Sequence, residues 1–93
     1  MTMYELEYTN KFKKDLKLCL KRGCDMGEIR TVLTCLERDG FVPPQYYPHK
    51  LSGQYNKYWE CHIGPDWLLI YDVNDKIQLV SLYRTGTHSD LFG

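Results

Sequence analysis

Apolar and polar positions follow helical spacing in two stretches near the start of the chain. Apolar residues recur every three or four positions between residues 12 and 20 and again between 26 and 36, as in amphipathic helices with one buried face. Thr9 and Asp25 precede these stretches with capping chemistry, and Gly23 and Gly40 follow them. The pattern therefore predicts two consecutive helices that form a helical hairpin.

Polar and apolar residues alternate in the remaining regular segments, as in strands with one buried face. Pro43-Pro44 predicts a loop over Val42–Tyr47 that continues to Gly53, and Asn74-Asp75 predicts a tight hairpin turn. Thr85-Gly86-Thr87 is expected to end the last strand and to lead into an irregular tail. The predicted strands are Met3–Tyr8, Lys57–Ile63, Trp67–Val73 and Ile77–Arg84.

The element order β-α-α-β-β-β defines the fold class. The last three strands are joined by short turns, so they are expected to be antiparallel neighbours. We predict an α+β fold in which the helical hairpin packs on one face of a small, mostly antiparallel sheet. The other face is then partly open, and the alternation places His62 on it, opposite Cys61. The 93 residues suffice for one hydrophobic core, so residues 1–93 are assigned to a single domain.

Charge is distributed unevenly, although the formal net charge is zero. The chain has 12 Lys and Arg against 12 Asp and Glu, which argues against a protein that coats nucleic acid through bulk charge. Between Thr9 and Arg22, six basic residues accompany one acid, Asp15. This concentration is consistent with a solvated helix face or with a surface that contacts a polyanion. The basic residues are Lys11, Lys13, Lys14, Lys17, Lys21 and Arg22.

Cysteine usage and hydropathy indicate the compartment. The four cysteines show no CxxC spacing, which disfavours a zinc ribbon. No apolar run approaches the roughly 20 residues of a membrane span, and no secretory signal is visible. We therefore expect a cytoplasmic protein with reduced cysteines and no membrane partner.

Three histidines, His49, His62 and His88, lie in predicted loops or at strand ends. They are consistent with solvated surface residues, with a metal site that includes Asp66, or with acid–base catalysis. No HxH or HExxH spacing supports the metal site. Histidine titrates near neutral pH and therefore suits proton transfer, and Arg84 would then hold a phosphate or a developing negative charge.

Aromatic residues allow a similar choice. Trp67, in a predicted strand, is typical of a core residue. Phe92 lies where chain ends usually fray, so its ring either clasps the tail to the sheet or forms a platform for an unpaired base. Gly86 allows a tight turn that would bring Arg84 and His88 together.

Three motifs stand out in the second half of the chain: HKLSG at residues 49–53, ECHIGPDWLLIY at 60–71 and YRTGTHSDLFG at 83–93. Together they resemble the YafQ-type branch of the RelE/ParE toxin superfamily, and the basic helix and the strand order resemble that branch as well. The resemblance covers essentially the whole chain and implies a RelE-like, microbial RNase-like fold. It implies a toxin that a cognate antitoxin holds inactive, acting as a ribosome-dependent mRNA endoribonuclease that inhibits translation.

The resemblance also implies an active site. In the implied reaction the RNA 2′-hydroxyl attacks the neighbouring phosphate, with no metal or cofactor. The hypothesis is that His88 is the general acid and that the other histidines and Asp66 supply or tune the base. Arg84 would stabilise phosphate charge, and the two aromatic residues would position mRNA bases. The matching positions are His49, His62, Asp66, Trp67, Arg84, His88 and Phe92.

Under this interpretation the basic helix docks on ribosomal RNA through its phosphates. The expected partners are then an antitoxin, the ribosome and mRNA, and cleavage of ribosome-free RNA should be weak. Three alternatives remain open. They are a ParE-like toxin without nuclease activity, a metal-dependent hydrolase that uses the three histidines, and a non-catalytic domain whose open sheet face binds a peptide.

Overall fold

Residues 3–93, which the computed structural model describes, form five strands and three α-helices. The elements are β1 (Glu5–Tyr8), α1 (Asn10–Lys21), α2 (Met26–Asp39), β2 (His49–Lys50), β3 (Trp59–Gly64), β4 (Trp67–Asn74), β5 (Leu79–Gly86) and α3 (His88–Phe92). The strands form one sheet in the order β1-β5-β4-β3-β2. All neighbouring strands are antiparallel except β1 and β5, which are parallel. The predicted α+β class and the antiparallel order of the last three strands are confirmed.

Both predicted helices begin at the expected capping residues. Thr9 Oγ1 accepts a hydrogen bond from Phe12 N at 3.1 Å, and Asp25 Oδ1 accepts one from Gly27 N at 2.8 Å. α2 ends at Gly40, whose φ of 77° lies in the left-handed region that favours glycine. These caps satisfy backbone groups that a helix end otherwise leaves without a partner, so they fix where each helix starts and stops.

The main core lies between the helices and one face of the sheet. In β3, Cys61 and Ile63 enter this core, whereas Glu60 and His62 occupy the opposite face, as the alternation predicts. Each large apolar side chain buried there stabilises the fold by about 1.5–3 kcal/mol. On the second face, Leu68 and Ile70 of β4 are buried as well, and they pair with His62 and Glu60. The buried core members are Phe12, Ile29, Val32, Cys35, Leu36, Val42, Cys61, Ile63, Leu69, Tyr71, Val80 and Leu82.

β1 pairs with residues 79–82 only, which is the first half of β5. Along the second half, α1 takes the place of a neighbouring strand. Asp15 Oδ2 accepts a hydrogen bond from Thr85 N at 3.2 Å, and the same carboxylate binds Arg84 Nε and Nη2 at 2.6 and 3.1 Å. A backbone N–H removed from water needs such an acceptor. Asp15 therefore closes the edge of the sheet where β1 ends.

The β4–β5 hairpin differs from the predicted tight turn at Asn74-Asp75. Asn74 pairs with Leu79, so residues 75–78 form the loop and β5 covers Leu79–Gly86 instead of Ile77–Arg84. Asn74 Oδ1 accepts hydrogen bonds from two backbone N–H groups of the loop, at 3.0 and 3.3 Å. A side-chain acceptor of this kind stabilises a wider turn than the sequence pattern indicates.

Two short elements are missing from the prediction. His49–Lys50 forms β2 where the pattern predicts a loop, because two residues show no periodicity. His88–Phe92 forms α3, which begins with a capping box: Asp90 N donates to Thr87 Oγ1 at 3.1 Å, and Thr87 N donates to Asp90 Oδ2 at 2.9 Å. The predicted strand end is displaced as well, since β5 runs through Gly86.

None of the helices within residues 3–93 is long and apolar enough to cross a membrane.

We predict that Asp15→Ala destabilises the protein by about 2 kcal/mol, because it leaves Thr85 N and the Arg84 guanidinium without their acceptor. Urea unfolding followed by circular dichroism measures the change. Glu37→Ala removes an exposed carboxylate from α2 and serves as the control, with an expected change within about 0.5 kcal/mol. Equal stabilities of the two variants would contradict the role of Asp15 at the sheet edge.

Candidate active site

Two histidines and a carboxylate meet at the β2–β3 edge of the sheet. His49 pairs directly with Glu60, and His62 lies two residues further along β3 on the same face. Glu60 Oε1 lies 3.2 Å from His49 Nε2 and 4.0 Å from His62 Nε2. The centroids of the two imidazole rings are 6.4 Å apart. One carboxylate is therefore shared by two side chains of the type best suited to proton transfer at neutral pH.

Glu60 is the member of this group that the sequence reasoning missed. Its side chain is 7% exposed, against 51% for His49 and 33% for His62. A carboxylate removed from water requires ion-pair or hydrogen-bond partners, and the two imidazoles take that role. The sequence does carry a signal, because Glu60 shares the alternation phase of His62 and so had to lie beside it.

A second histidine–carboxylate pair lies at the start of α3. Asp66 Oδ1 accepts a hydrogen bond from His88 N at 3.3 Å and lies 3.7 Å from His88 Nδ1. The Phe92 ring, one turn along α3, is 6.0 Å from the His88 ring between centroids. All three side chains are exposed, so this pair is accessible to a substrate.

Strand register places the two pairs at the same end of the sheet. His62 pairs with Leu68, and Leu68 pairs with Gly86, which precedes His88 by two residues. Neighbouring strands are about 4.8 Å apart, so the row from His62 to Gly86 spans about 10 Å. The histidines predicted from sequence thus lie along one end of β2, β3 and β5.

Arg84 lies in the adjacent row, where it pairs with Ile70 and Ile70 pairs with Glu60. The hydrogen bonds from its guanidinium to Asp15 raise the pKa of Arg84, so the group remains charged. A guanidinium carries five N–H donors, and the two hydrogen bonds to Asp15 use two of them. Asp15 therefore fixes the direction of the Arg84 charge while donors remain for an anion.

The two aromatic residues of the predicted site differ in their surroundings. Trp67 is half-buried against the core, and its Nε1 donates a hydrogen bond to Thr85 Oγ1 at 2.9 Å. Thr85 Oγ1 in turn donates to Leu68 O at 2.7 Å. Phe92 is 47% exposed. The Trp67 N–H is thus used inside the fold, whereas the Phe92 ring is open to a stacking contact.

The basic residues of the predicted ribosome-binding surface are all exposed but not equivalent. Lys11 Nζ lies 5.6 Å from the centroid of the Tyr83 ring. Arg22 binds Asp90 of α3 through two hydrogen bonds, at 2.6 and 3.2 Å. Within residues 3–93 no ion pair engages the other four, which we call the α1 lysines: Lys13, Lys14, Lys17 and Lys21.

An open cavity of about 480 Å³ adjoins His62, and its lining includes Glu28 of α2, Tyr47 and Pro65. Its size falls in the range of small-molecule sites, about 300–1,000 Å³. In the described part of the chain, no group of three or more His, Cys, Asp or Glu side chains is arranged to hold a metal ion. Of the four residues considered for a metal site, His49 and His62 lie beside Glu60, and His88 lies beside Asp66.

Comparison with known proteins decides the family. The family model for YafQ, a bacterial toxin of type II toxin–antitoxin systems, matches residues 4–93. The chain belongs to the YafQ toxin family. The resemblance carried by the three sequence motifs is thereby confirmed.

Relatives within the YafQ family match over their full length. The mRNA interferase toxin YafQ of Escherichia coli K12 is 39% identical over 94 residues, covering 100% of both chains. A crystal structure of YafQ from E. coli strain BL21(DE3) has a TM-score of 0.89 at 37% identity and covers 97% of this chain and 99% of that one. YafQ in the E. coli DinJ–YafQ toxin–antitoxin complex has a TM-score of 0.88 at 38% identity, with 99% and 100% covered.

Acid should weaken the attachment of α3. The hydrogen bond from Arg22, followed by that from Thr87 N, lowers the pKa of Asp90 to about 2 from its ordinary value of 3.8. A carboxyl group with a depressed pKa stabilises the fold above its ordinary pKa and loses this contribution as the pH falls through the depressed value. The stability difference between wild type and Asp90→Asn should therefore be complete above about pH 4 and vanish near pH 2. Chemical unfolding at several pH values measures it, and a constant difference would contradict the assignment.

Proposed function

We propose that the chain cleaves mRNA on the translating ribosome by metal-independent acid–base catalysis and that a cognate antitoxin holds it inactive. The observation that carries the proposal is that two histidine–carboxylate groups lie at one end of the sheet. They are His49–Glu60–His62 and His88–Asp66. Two proton-transfer groups separated in this way are what cleavage of an RNA phosphodiester requires. The name of the E. coli relative, an mRNA interferase toxin, supports this substrate.

The reaction uses a nucleophile that RNA itself supplies. A base removes the proton of the 2′-hydroxyl, and its oxygen forms a bond to the adjacent phosphorus. The bond from phosphorus to the 5′-oxygen breaks, and an acid protonates this leaving oxygen. The products of this step are a 2′,3′-cyclic phosphate and a 5′-hydroxyl, and a later addition of water opens the cyclic phosphate to a 3′-phosphate. The protons and charges of the first step balance with side chains alone, and each acid or base group contributes about 10²–10⁴-fold.

We assign the general acid to His88. Its imidazole is exposed at the start of α3, where the leaving oxygen of a bound substrate can reach it. The His49–Glu60–His62 group then supplies the base, with the buried carboxylate orienting the imidazoles and stabilising the charge that forms on them. Asp66 assists through His88 by means of the contact at 3.7 Å.

Arg84, Trp67 and Phe92 would hold the substrate. Charge builds up on the non-bridging phosphate oxygens during the reaction, and a preoriented guanidinium stabilises it. Asp15 supplies that preorientation for Arg84. Phe92 provides an exposed ring on which an unpaired base stacks. The half-buried Trp67 would help to position an mRNA base.

The ribosome enters the proposal through charge distribution. A protein with zero net charge has no bulk attraction for free RNA, yet the α1 lysines concentrate positive charge on one exposed helix. Ribosomal RNA phosphates fit this surface, and docking there would deliver the active site to mRNA. This site of action places the protein in the cytoplasm. The complex of E. coli YafQ with DinJ supports an antitoxin as the second partner.

His88→Ala should lose cleavage of translated mRNA by about 10²–10⁴-fold, because it removes the proton donor for the leaving oxygen. Thermal unfolding and antitoxin binding should change little, since the side chain is 63% exposed. Ser89→Ala, at the next exposed position of α3, is the matched control and should cleave at the wild-type rate. Near wild-type cleavage by His88→Ala under single-turnover conditions would overturn the assignment of the acid.

Charge reversal at Lys13, Lys14 and Lys17 should weaken ribosome binding and flatten its dependence on salt, because each lost phosphate contact reduces the logarithmic slope by about 0.7–0.9. Reversal of three exposed basic residues elsewhere produces the same net charge and serves as the control. These residues are Arg30, Lys57 and Lys76. Sedimentation with ribosomes at several salt concentrations measures both sets, and equal losses would assign the effect to net charge instead of to the α1 lysines.

A further inference from the structure

α3 carries His88 and Phe92 but has little to hold it by itself. The helix has five residues, and none of them is buried. Isolated helices shorter than about 12–15 residues are marginal in water, and without buried side chains the hydrophobic effect contributes little to its position. The orientation of α3 therefore depends on polar contacts.

Asp90 makes the contact that joins α3 to another helix. Its Oδ2 lies 2.6 Å from Arg22 Nη1, and its Oδ1 lies 3.2 Å from Arg22 Nη2. Oδ2 also accepts the capping bond from Thr87 N at 2.9 Å. Two parallel bonds between a guanidinium and a carboxylate fix direction as well as distance. One carboxylate thus closes the first turn of α3 and anchors it to α1.

Arg22 is fixed at the other end of this contact. It is the C-terminal cap of α1, and its N donates to Leu18 O at 3.0 Å. Cys24 N donates to Cys19 O at 3.1 Å immediately beyond it, which closes the helix end in the Schellman pattern. The planar guanidinium loses little freedom when it binds a carboxylate in two places. The backbone from which the Arg22 side chain extends toward α3 is therefore fixed.

Close packing at Gly86 shows that Asp90 has little room to move. A Cβ atom at Gly86 would lie 2.9 Å from Asp90 Oδ2 and 3.0 Å from Asp90 Cβ. The Asp90 side chain thus lies directly against the backbone at the end of β5. Arg22 on one side and β5 on the other confine it, and the confinement extends to the two functional side chains of the same short helix.

We propose that Arg22 is a positioning residue that acts through Asp90 to hold His88 and Phe92 in the orientation that cleavage requires. The proposal rests on the function proposed above for the same site. It separates Arg22 from the α1 lysines, although sequence reasoning placed all of them in one ribosome-binding surface. Arg22 affects the chemical step, and the lysines affect docking.

Single-turnover kinetics on ribosomes with bound mRNA separate these effects. Arg22→Gln should lower the maximal cleavage rate at least about tenfold, as misplacement of a catalytic group does, with the half-saturating ribosome concentration unchanged. Arg22→Lys should recover part of the rate, because one charged donor remains. Lys21→Gln should raise the half-saturating concentration and retain the maximal rate. Arg38→Gln breaks another exposed Arg–Asp pair, to Asp39 at 2.9 Å, and should change neither quantity.

Amide hydrogen exchange provides a measurement that does not depend on activity. Leu91 N and Gly93 N donate to the α3 carbonyls Thr87 O and Ser89 O, both at 3.1 Å. Arg22→Gln should speed exchange at these two amides at least about tenfold, since local opening controls their exchange. Exchange at Gly40 N, which closes α2 at 2.8 Å, should remain unchanged.

The outcomes distinguish this inference from the proposed function. If Arg22→Gln kept the wild-type maximal rate and changed only the half-saturating ribosome concentration, Arg22 would belong to the docking surface. This result would overturn the inference. Unchanged exchange at Leu91 and Gly93 in Arg22→Gln would overturn it as well. Failure of the wild-type protein to cleave translated mRNA would refute the proposed function instead, and the exchange experiment would still decide whether Arg22 holds α3.

Discussion

The contact between Asp15 and the second half of β5 is the constraint on which the site depends. β1 accompanies β5 only as far as residue 82, and beyond it the edge of the strand would face α1 without hydrogen-bond partners. The Asp15 carboxylate provides an acceptor for Thr85 N and for Arg84 at once. β5 pairs with β4 up to Gly86, beyond a register shift at Tyr83, and the chain leaves the sheet beside the row that carries His62. The position of α3 follows from this exit.

The two histidine–carboxylate pairs are supported in different ways. Glu60 is a buried member of the central sheet, paired on one side with β2 and on the other with β4, so His49 and His62 belong to a rigid framework. His88 belongs to a short helix without buried residues. Under the proposed function, the base would lie on the sheet and the acid on a helix that Arg22 holds through Asp90. Both groups would then be preoriented for a substrate that binds between them.

Sequence periodicity predicted the helices and strands whose burial pattern or capping residues are visible in a run of neighbouring positions. The alternation around Cys61 and His62 indicated the correct faces of β3, and the capping residues Thr9 and Asp25 marked the helix starts. β2 is too short to alternate. The parallel pairing of β1 with β5 and the contacts of Asp15 and Asp90 join residues about seventy positions apart, and local pattern holds no information about such pairs. The capping box at Thr87 and Asp90 was visible in the sequence and would have predicted α3.

Two acidic residues close to the basic helix show how its charges are divided between contacts within the fold and solvent. Asp15 was counted as a neutralising charge on the surface, but its side chain is 14% exposed and is turned toward Arg84. Arg22 was counted with the lysines, but its guanidinium forms an ion pair with Asp90. Asp15 and Arg22 therefore both make contacts within the fold, Asp15 with Arg84 and Arg22 with Asp90 of α3. What remains on the helix is a smaller set of lysines without ion-pair partners in the described chain. Under the proposed function, docking and catalysis would share one helix but use different residues of it, so each would be open to change without the other.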